Sequence, residues 1–138
     1  MDLVLLEKAK SIDRCIAQVW RYYRGHEAAF ETDFMRQDAI VLNLERACQT
    51  AVDMGLRVGR LRRLPPPNET KQLFQILGDA GLIEVSLVQA MQAMIGFRNV
   101  AVHAYRKLDL AKVRAIIEHR LDDLATFSKA MIAADPSV

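Results

Sequence analysis

Residues 40–61 read IVLNLERACQTAVDMGLRVGRL, and their spacing decides the fold class. Ile40, Leu44, Ala47, Ala51, Met54, Val58 and Leu61 recur at intervals that alternate between four and three. That spacing lays one apolar stripe along a helix and has no counterpart in a strand of period two. Pro65, Pro66 and Pro67 stop the pattern, because proline lacks the backbone donor and clashes with the preceding turn. Asp33 is placed to cap its start. Upstream, Leu5, Ala9, Ile12, Ile16, Val19 and Tyr23 repeat the alternation and Gly25 punctuates it. Downstream, Leu87, Ala90, Met94, Phe97 and Ala101 give a further stripe, and Asp109 offers an N-cap for a last long helix with Leu110, Val113, Ile117, Leu121, Leu124 and Met131. Between them Asn68 is a cap for a short helix carrying Leu73, Phe74, Ile76 and Leu77, which closes at Gly78 to Gly81. No segment alternates long enough to be a strand. Long helices that share this spacing pack at shallow angles around one core. The expected fold is all-α, an up-and-down four-helix bundle with one short extra helix, with residues 1–138 forming a single domain.

Composition narrows the function classes. The chain is 51% apolar and 26% charged, which suits a packed core and excludes wholesale disorder. The N-terminal MDLVLLEKAKSIDR carries acid at Asp2 and Glu7 and does not read as a signal peptide. No apolar run approaches the roughly 20 residues of a membrane span, so no membrane role is expected. Cys15 and Cys48 fall at core-type helical positions and are expected to be reduced thiols, which suits the cytoplasm. A net charge of +2 is too small to signal nucleic-acid binding by itself. Its distribution says more: Arg57, Arg60, Arg62 and Arg63 lie together with no acid among them, just before the prolines. Two readings stand side by side, a solvated helix end whose cations suit the macrodipole and a rim that contacts phosphates.

The chemistry is sought by elimination. His26, His103 and His119 show no ligand-type spacing with cysteine or carboxylate, so no metal site is expected. No glycine-rich phosphate loop precedes a helix, and no nucleophile elbow occurs. The segment FRNVAVHAY at 97–105 remains. On a helix with Arg98 at zero, Asn99 lies near 100°, His103 near 140°, Tyr105 near −20° and Arg106 near 80°, with Phe97, Ala101 and Ala104 on the opposite, core-type side. Arg98 and His103 are thus splayed by about 140° and do not meet on one straight helix. Either the helix breaks near Ala104 or a second copy supplies the missing half. The bland alternative is that these polar residues merely solvate a helix end.

Arg98, four intervening residues, His103, one residue and Tyr105 reproduce the R-x4-H-x-Y motif, and here the chain resembles the HepT-like HEPN proteins. QDAIVLNLERACQTAVDM is similar to their second helix, LFQILGDAGLI to their short middle helix and MIGFRNVAVHAY to their motif helix. The resemblance runs from about residue 34 to 121, with an N-terminal helix of the right type. The arginine-rich RVGRLRRLPPP connection and the C-terminal tail depart from the pattern.

The resemblance implies the toxin half of a bacterial toxin–antitoxin pair: a homodimer that cleaves RNA without metal or other cofactor at a cleft between protomers. It also implies a small nucleotidyltransferase partner of the MntA type that attaches AMP to the motif tyrosine, here Tyr105. The residue types suit that chemistry. Attack of a ribose 2′-hydroxyl on phosphorus needs a base that titrates near neutrality, the role for His103. Charge growing on the phosphoryl oxygens is stabilised by a planar guanidinium, the role for Arg98, while Asn99 orients the phosphate or the imidazole. Arg57, Arg60, Arg62, Arg63 and Arg106 are the candidate RNA contacts. A non-catalytic helical interaction module regulated by a nucleotidyltransferase is the competing reading, and a purely structural helical oligomer the third.

Overall fold

Asp2 accepts a hydrogen bond from the Leu5 N–H and so starts α1 (Leu3–Tyr23). In the computed structural model, residues 1–103 and 109–137 are described, the side chains of 99–103 excepted. Gly25, at a φ of 81°, turns the chain after α1 through a single 3-10 turn (Glu27–Ala29) into α2 (Phe34–Leu61), capped by Asp33 as the sequence predicts. Then follow α3 (Thr70–Asp79), α4 (Val85–His103), α5 (Leu110–His119) and α6 (Leu121–Ala133). The described residues contain six α-helices and no strand.

α1 packs along α2, α6 lies against both, and α4 packs on α2 and α6, with the short α3 wedged against α2 and α4. This is the expected four-helix bundle, its fourth arm built from α5 and α6. Contacts at the two ends fix the directions. At one end Arg57 of α2 donates two bonds to Asp2 at 2.7 and 3.2 Å, the Asp2 N–H donates to Asp135 at 2.6 Å, and Arg62 donates to the Ala134 carbonyl at 2.6 Å. At the other end Arg36 donates to the Tyr22 carbonyl at 2.8 Å, and the Tyr23 hydroxyl donates to Glu118 at 2.5 Å and accepts from Arg114 at 2.9 Å. α1 and α2 are therefore antiparallel, and α5 is fastened to the Tyr23 end through Arg114 and Glu118.

Three sequence expectations shift. Asn68 is not the cap of α3: Glu69 holds that position without a side-chain bond, and Gln72 reaches back to accept from the Asn68 N–H at 2.6 Å. The last long helix is two, because Arg120 leaves helical geometry at φ −125° and ψ −8°. Val113, Ile117, Leu121 and Leu124 stay buried across the joint, so the stripe passes through a break that no glycine or proline announces. The third shift concerns α4. Leu87, Val88, Met91, Met94 and Ile95 are buried, whereas Ala90 and Phe97 are half-exposed. α4 is apolar nearly all round, so periodicity alone did not choose its core face. Packing between α2, α3 and α6 chose it instead.

Candidate functional site

The turned face of α4 changes where Arg98 stands. Met91, Met94 or Ile95, and Arg98 follow one another at intervals of three and four. Arg98 is thus the next residue of the buried row, at the margin of the core, and not opposite it as the sequence suggested. The opposite flank of α4 borders a groove of about 740 Å³ toward α5, with Met94, Phe97 and Ile116 in its lining and Lys112, His119 and Arg120 beside them.

Half-buried Arg98 reaches across to α2, where its Nη1 donates to the side-chain carbonyl of Gln49. The direction of that amide is set by its other end, since Gln49 Nε2 donates to Asp53 at 3.0 Å and Asp53 pairs with Lys8 of α1 at 3.8 Å. One turn earlier on α2 stands Glu45, whose Oε1 is buried without a hydrogen bond from the described residues. Burial raises its carboxyl pKa, and the Arg98 charge opposes that rise. Cys48, fully buried on the same helix, is pushed up to about 12 by burial, with Arg98 opposing and Glu45 adding to the shift. The Arg98 charge thus acts on both α2 groups, while the hydrogen bond to Gln49 is the contact that places it. Glu45 and Gln49 escaped the sequence reading because an exposed glutamine and a half-exposed glutamate on a surface helix carry no motif. Their i, i+4 spacing was the only available signal.

The remaining candidates divide. Asn99 and His103 belong to α4, and their side chains lie outside the description. As helical positions, 98 and 103 stand about 140° apart around the axis and about 7.5 Å apart along it. Tyr105 and Arg106 lie outside the described residues. The arginines of the RVGRLRR stretch do not gather at Arg98. Arg57 and Arg62 are engaged with Asp2 and the Ala134 carbonyl. Arg60 is exposed on the Gln49 face but three turns farther along, about 16 Å away. Exposed Arg63, at a φ of 57°, ends α2: the Arg63 N–H bonds the Arg60 carbonyl at 3.1 Å, and the Leu64 N–H bonds that of Gly59 at 2.8 Å. The stretch therefore terminates a helix and clasps the two chain ends together.

Among the described residues no group of three or more His, Cys, Asp or Glu is arranged to hold a metal ion, and no helix is long and apolar enough to cross a membrane. Cys15 and Cys48 are free thiols, both buried.

Fold and site together define an all-helical bundle in which the R-x4-H helix is seated on α2 through its arginine. Comparison with known proteins gives the family: the chain belongs to the HepT-like ribonucleases, whose family profile matches residues 12–131. The mRNA nuclease HepT of Shewanella oneidensis strain MR-1 is 33% identical over 127 residues, covering 92% of this chain and 95% of that protein. Among solved structures, a tri-AMPylated HEPN toxin from Shewanella oneidensis in complex with an MNT antitoxin superposes with a TM-score of 0.91 at 32% identity, covering 96% of this chain and 99% of that one. A toxin–antitoxin complex with AMP-PNP gives a TM-score of 0.90 at 31% identity, covering 95% and 99%.

Proposed function

We propose that this chain is the toxin of a toxin–antitoxin pair, an endoribonuclease acting in the cytoplasm as a homodimer of single-domain protomers, silenced when a nucleotidyltransferase antitoxin transfers AMP to Tyr105. The observation that carries the reading is the anchored Arg98, held on α2 at the margin of the core on the helix that also bears His103. Membership of the HepT-like ribonucleases supports the reaction. The neighbouring structures, one a tri-AMPylated toxin with its antitoxin, support the partner and the modification.

His103 takes the proton of a ribose 2′-hydroxyl as that oxygen attacks the adjacent phosphorus. Arg98 stabilises the charge on the phosphoryl oxygens while the bond to the 5′-oxygen breaks. A protonated His103 from the second protomer gives its proton to the leaving oxygen, which produces a cyclic phosphate and a 5′-hydroxyl. Asn99 orients the scissile phosphate, and Arg106 with the exposed Arg60 and Arg63 contacts the strand beyond it. Arg57 and Arg62 contribute chiefly by holding the bundle end. In the silencing step the Tyr105 oxygen attacks the α-phosphorus of ATP, pyrophosphate leaves and the phenol proton passes to the antitoxin. The added phosphate then stands beside the Arg98 site and repels RNA.

The test is cleavage of a labelled single-stranded RNA in EDTA. Wild-type chain gives 5′-hydroxyl ends, while Arg98→Ala and His103→Ala cleave at least about 1,000-fold more slowly with unchanged helicity. Cleavage by both variants at the wild-type rate overturns the assignment. Incubation with ATP, magnesium and the antitoxin adds AMP to Tyr105 by peptide mass spectrometry, and equal silencing of Tyr105→Phe overturns the acceptor role.

A further inference from the structure

The function of Glu45 and Gln49 is open, since neither belongs to the R-x4-H-x-Y segment. Both lie on the face of α2 that meets α4, one helical turn apart, with Asp53 a turn farther on. A long arginine side chain has many rotamers, and a phosphate-binding guanidinium is effective only when its plane is fixed before the charge develops. Two features of α2 act on it, the first a hydrogen bond. The carbonyl of Gln49 faces Arg98 because the amide nitrogen is held by Asp53 at 3.0 Å, and Lys8 of α1 braces Asp53 at 3.8 Å. The second is charge: the Glu45 carboxyl, one turn back on α2 with Oε1 shielded from water, is near enough for the Arg98 charge to oppose the rise that burial imposes on its pKa.

We infer that Gln49 and Glu45 are positioning residues for the cleavage reaction: an oriented amide on α2 that holds the Arg98 side chain by a hydrogen bond in the plane it needs to meet the scissile phosphate, and a nearby carboxylate that holds it through charge. The inference rests on the reading of Arg98 as the phosphate-stabilising group. Neither residue touches RNA; each acts through Arg98. The clamp links α1, α2 and α4, so the aim of Arg98 depends on the packing of three helices and not on the motif helix alone. It also gives Glu45 a reason to remain partly buried, since a carboxylate in that position costs desolvation unless a cation opposes it.

Steady-state and single-turnover cleavage of one RNA are measured for Glu45→Gln, Glu45→Asp and Gln49→Ala, each also in an Arg98→Lys background, which keeps a measurable residual rate. Thermal melting confirms that each variant is folded. Glu45→Gln, which keeps the volume and removes the charge, lowers kcat by about 10- to 100-fold with KM within threefold of wild type. Gln49→Ala lowers it by about 10-fold, and Glu45→Asp recovers part of the loss. In the Arg98→Lys background the same changes have little further effect, because residues that act as a unit are not additive. The inference is overturned if Glu45→Gln and Gln49→Ala both cleave within threefold of wild type, or if their losses persist in full beside Arg98→Lys. A rise in KM alone, with kcat intact, overturns it as well. Wild-type cleavage by Arg98→Lys and by Arg98→Ala is the separate outcome that sinks the underlying reading of Arg98.

Discussion

Replacing Arg98 by lysine keeps the charge and removes the planar fork, and so isolates what the geometry of this side chain contributes. A guanidinium engages Gln49 through one N–H and presents further donors in the same plane to a phosphate, whereas an ammonium is a single point that serves one partner or the other. Loss of one fixed donor to a developing oxyanion costs about 10²–10³ in kcat. Arg98→Lys is therefore expected to fall by about 100-fold, or about 2.7 kcal/mol of transition-state stabilisation, and Arg98→Ala by about 1,000-fold, or about 4 kcal/mol. For Arg98→Lys stability moves far less: the charge that opposes Glu45 is kept, and Gln49 is exposed and rehydrates when its donor is lost, so the folding cost is about 1 kcal/mol. At roughly 0.3 kcal/mol/K of unfolding entropy for a chain of this length, Tm falls by about 3–4 °C. The assay pairs single-turnover RNA cleavage with a thermal melt of the same preparations. An Arg98→Lys chain that cleaves within threefold of wild type refutes the geometric argument. One that is already unfolded at 25 °C shows that Arg98 serves the fold instead.

Three further outcomes are expected. Tyr23→Phe deletes the hydroxyl between Glu118 and Arg114, costs about 2 kcal/mol and lowers Tm by about 7 °C, and a shift under 1 °C contradicts that role. Asp135 is held down to about 2 by bonds from Ser137 and the Asp2 N–H, and Asp2 is lowered by Arg57 first. Their folded values lie below the unfolded value of about 3.9, so their stabilising contribution is complete above it and disappears as pH falls toward 2. Denaturant titrations at pH 7, 4, 3 and 2 should show a shallower acid loss for Asp135→Asn, and identical pH slopes would defeat the assignment. The Cys48 thiol, with 0% exposure and a pKa of about 12, should resist a thiol reagent in the native chain and react on unfolding, so its prompt native reaction would place it elsewhere.

Much of this architecture was legible because helical periodicity and caps are local. The stripe from Ile40 to Leu61, the Asp33 and Asp109 caps and the Gly25 turn all reappear, since each follows from backbone geometry within a few residues. The R-x4-H-x-Y segment was legible for the same reason: it is a short ordered set of side chains, and it led to the family that the comparisons bear out. Other features belonged to the tertiary structure. Helix α4 is apolar on too many sides for spacing to select its core face, and only the packing of α2, α3 and α6 puts Arg98 at the end of the buried row. The break at Arg120 was hidden because burial continues smoothly across it. Likewise, Arg57 and Arg62 are basic in sequence and become clasps only when the bundle brings Asp2 and Ala134 to them. The helices and the reactive segment could be read from the chain alone, because they depend on neighbours along it. Which way Arg98 faces and what holds it came from packing, because Gln49 meets it only after two helices distant in sequence have come together.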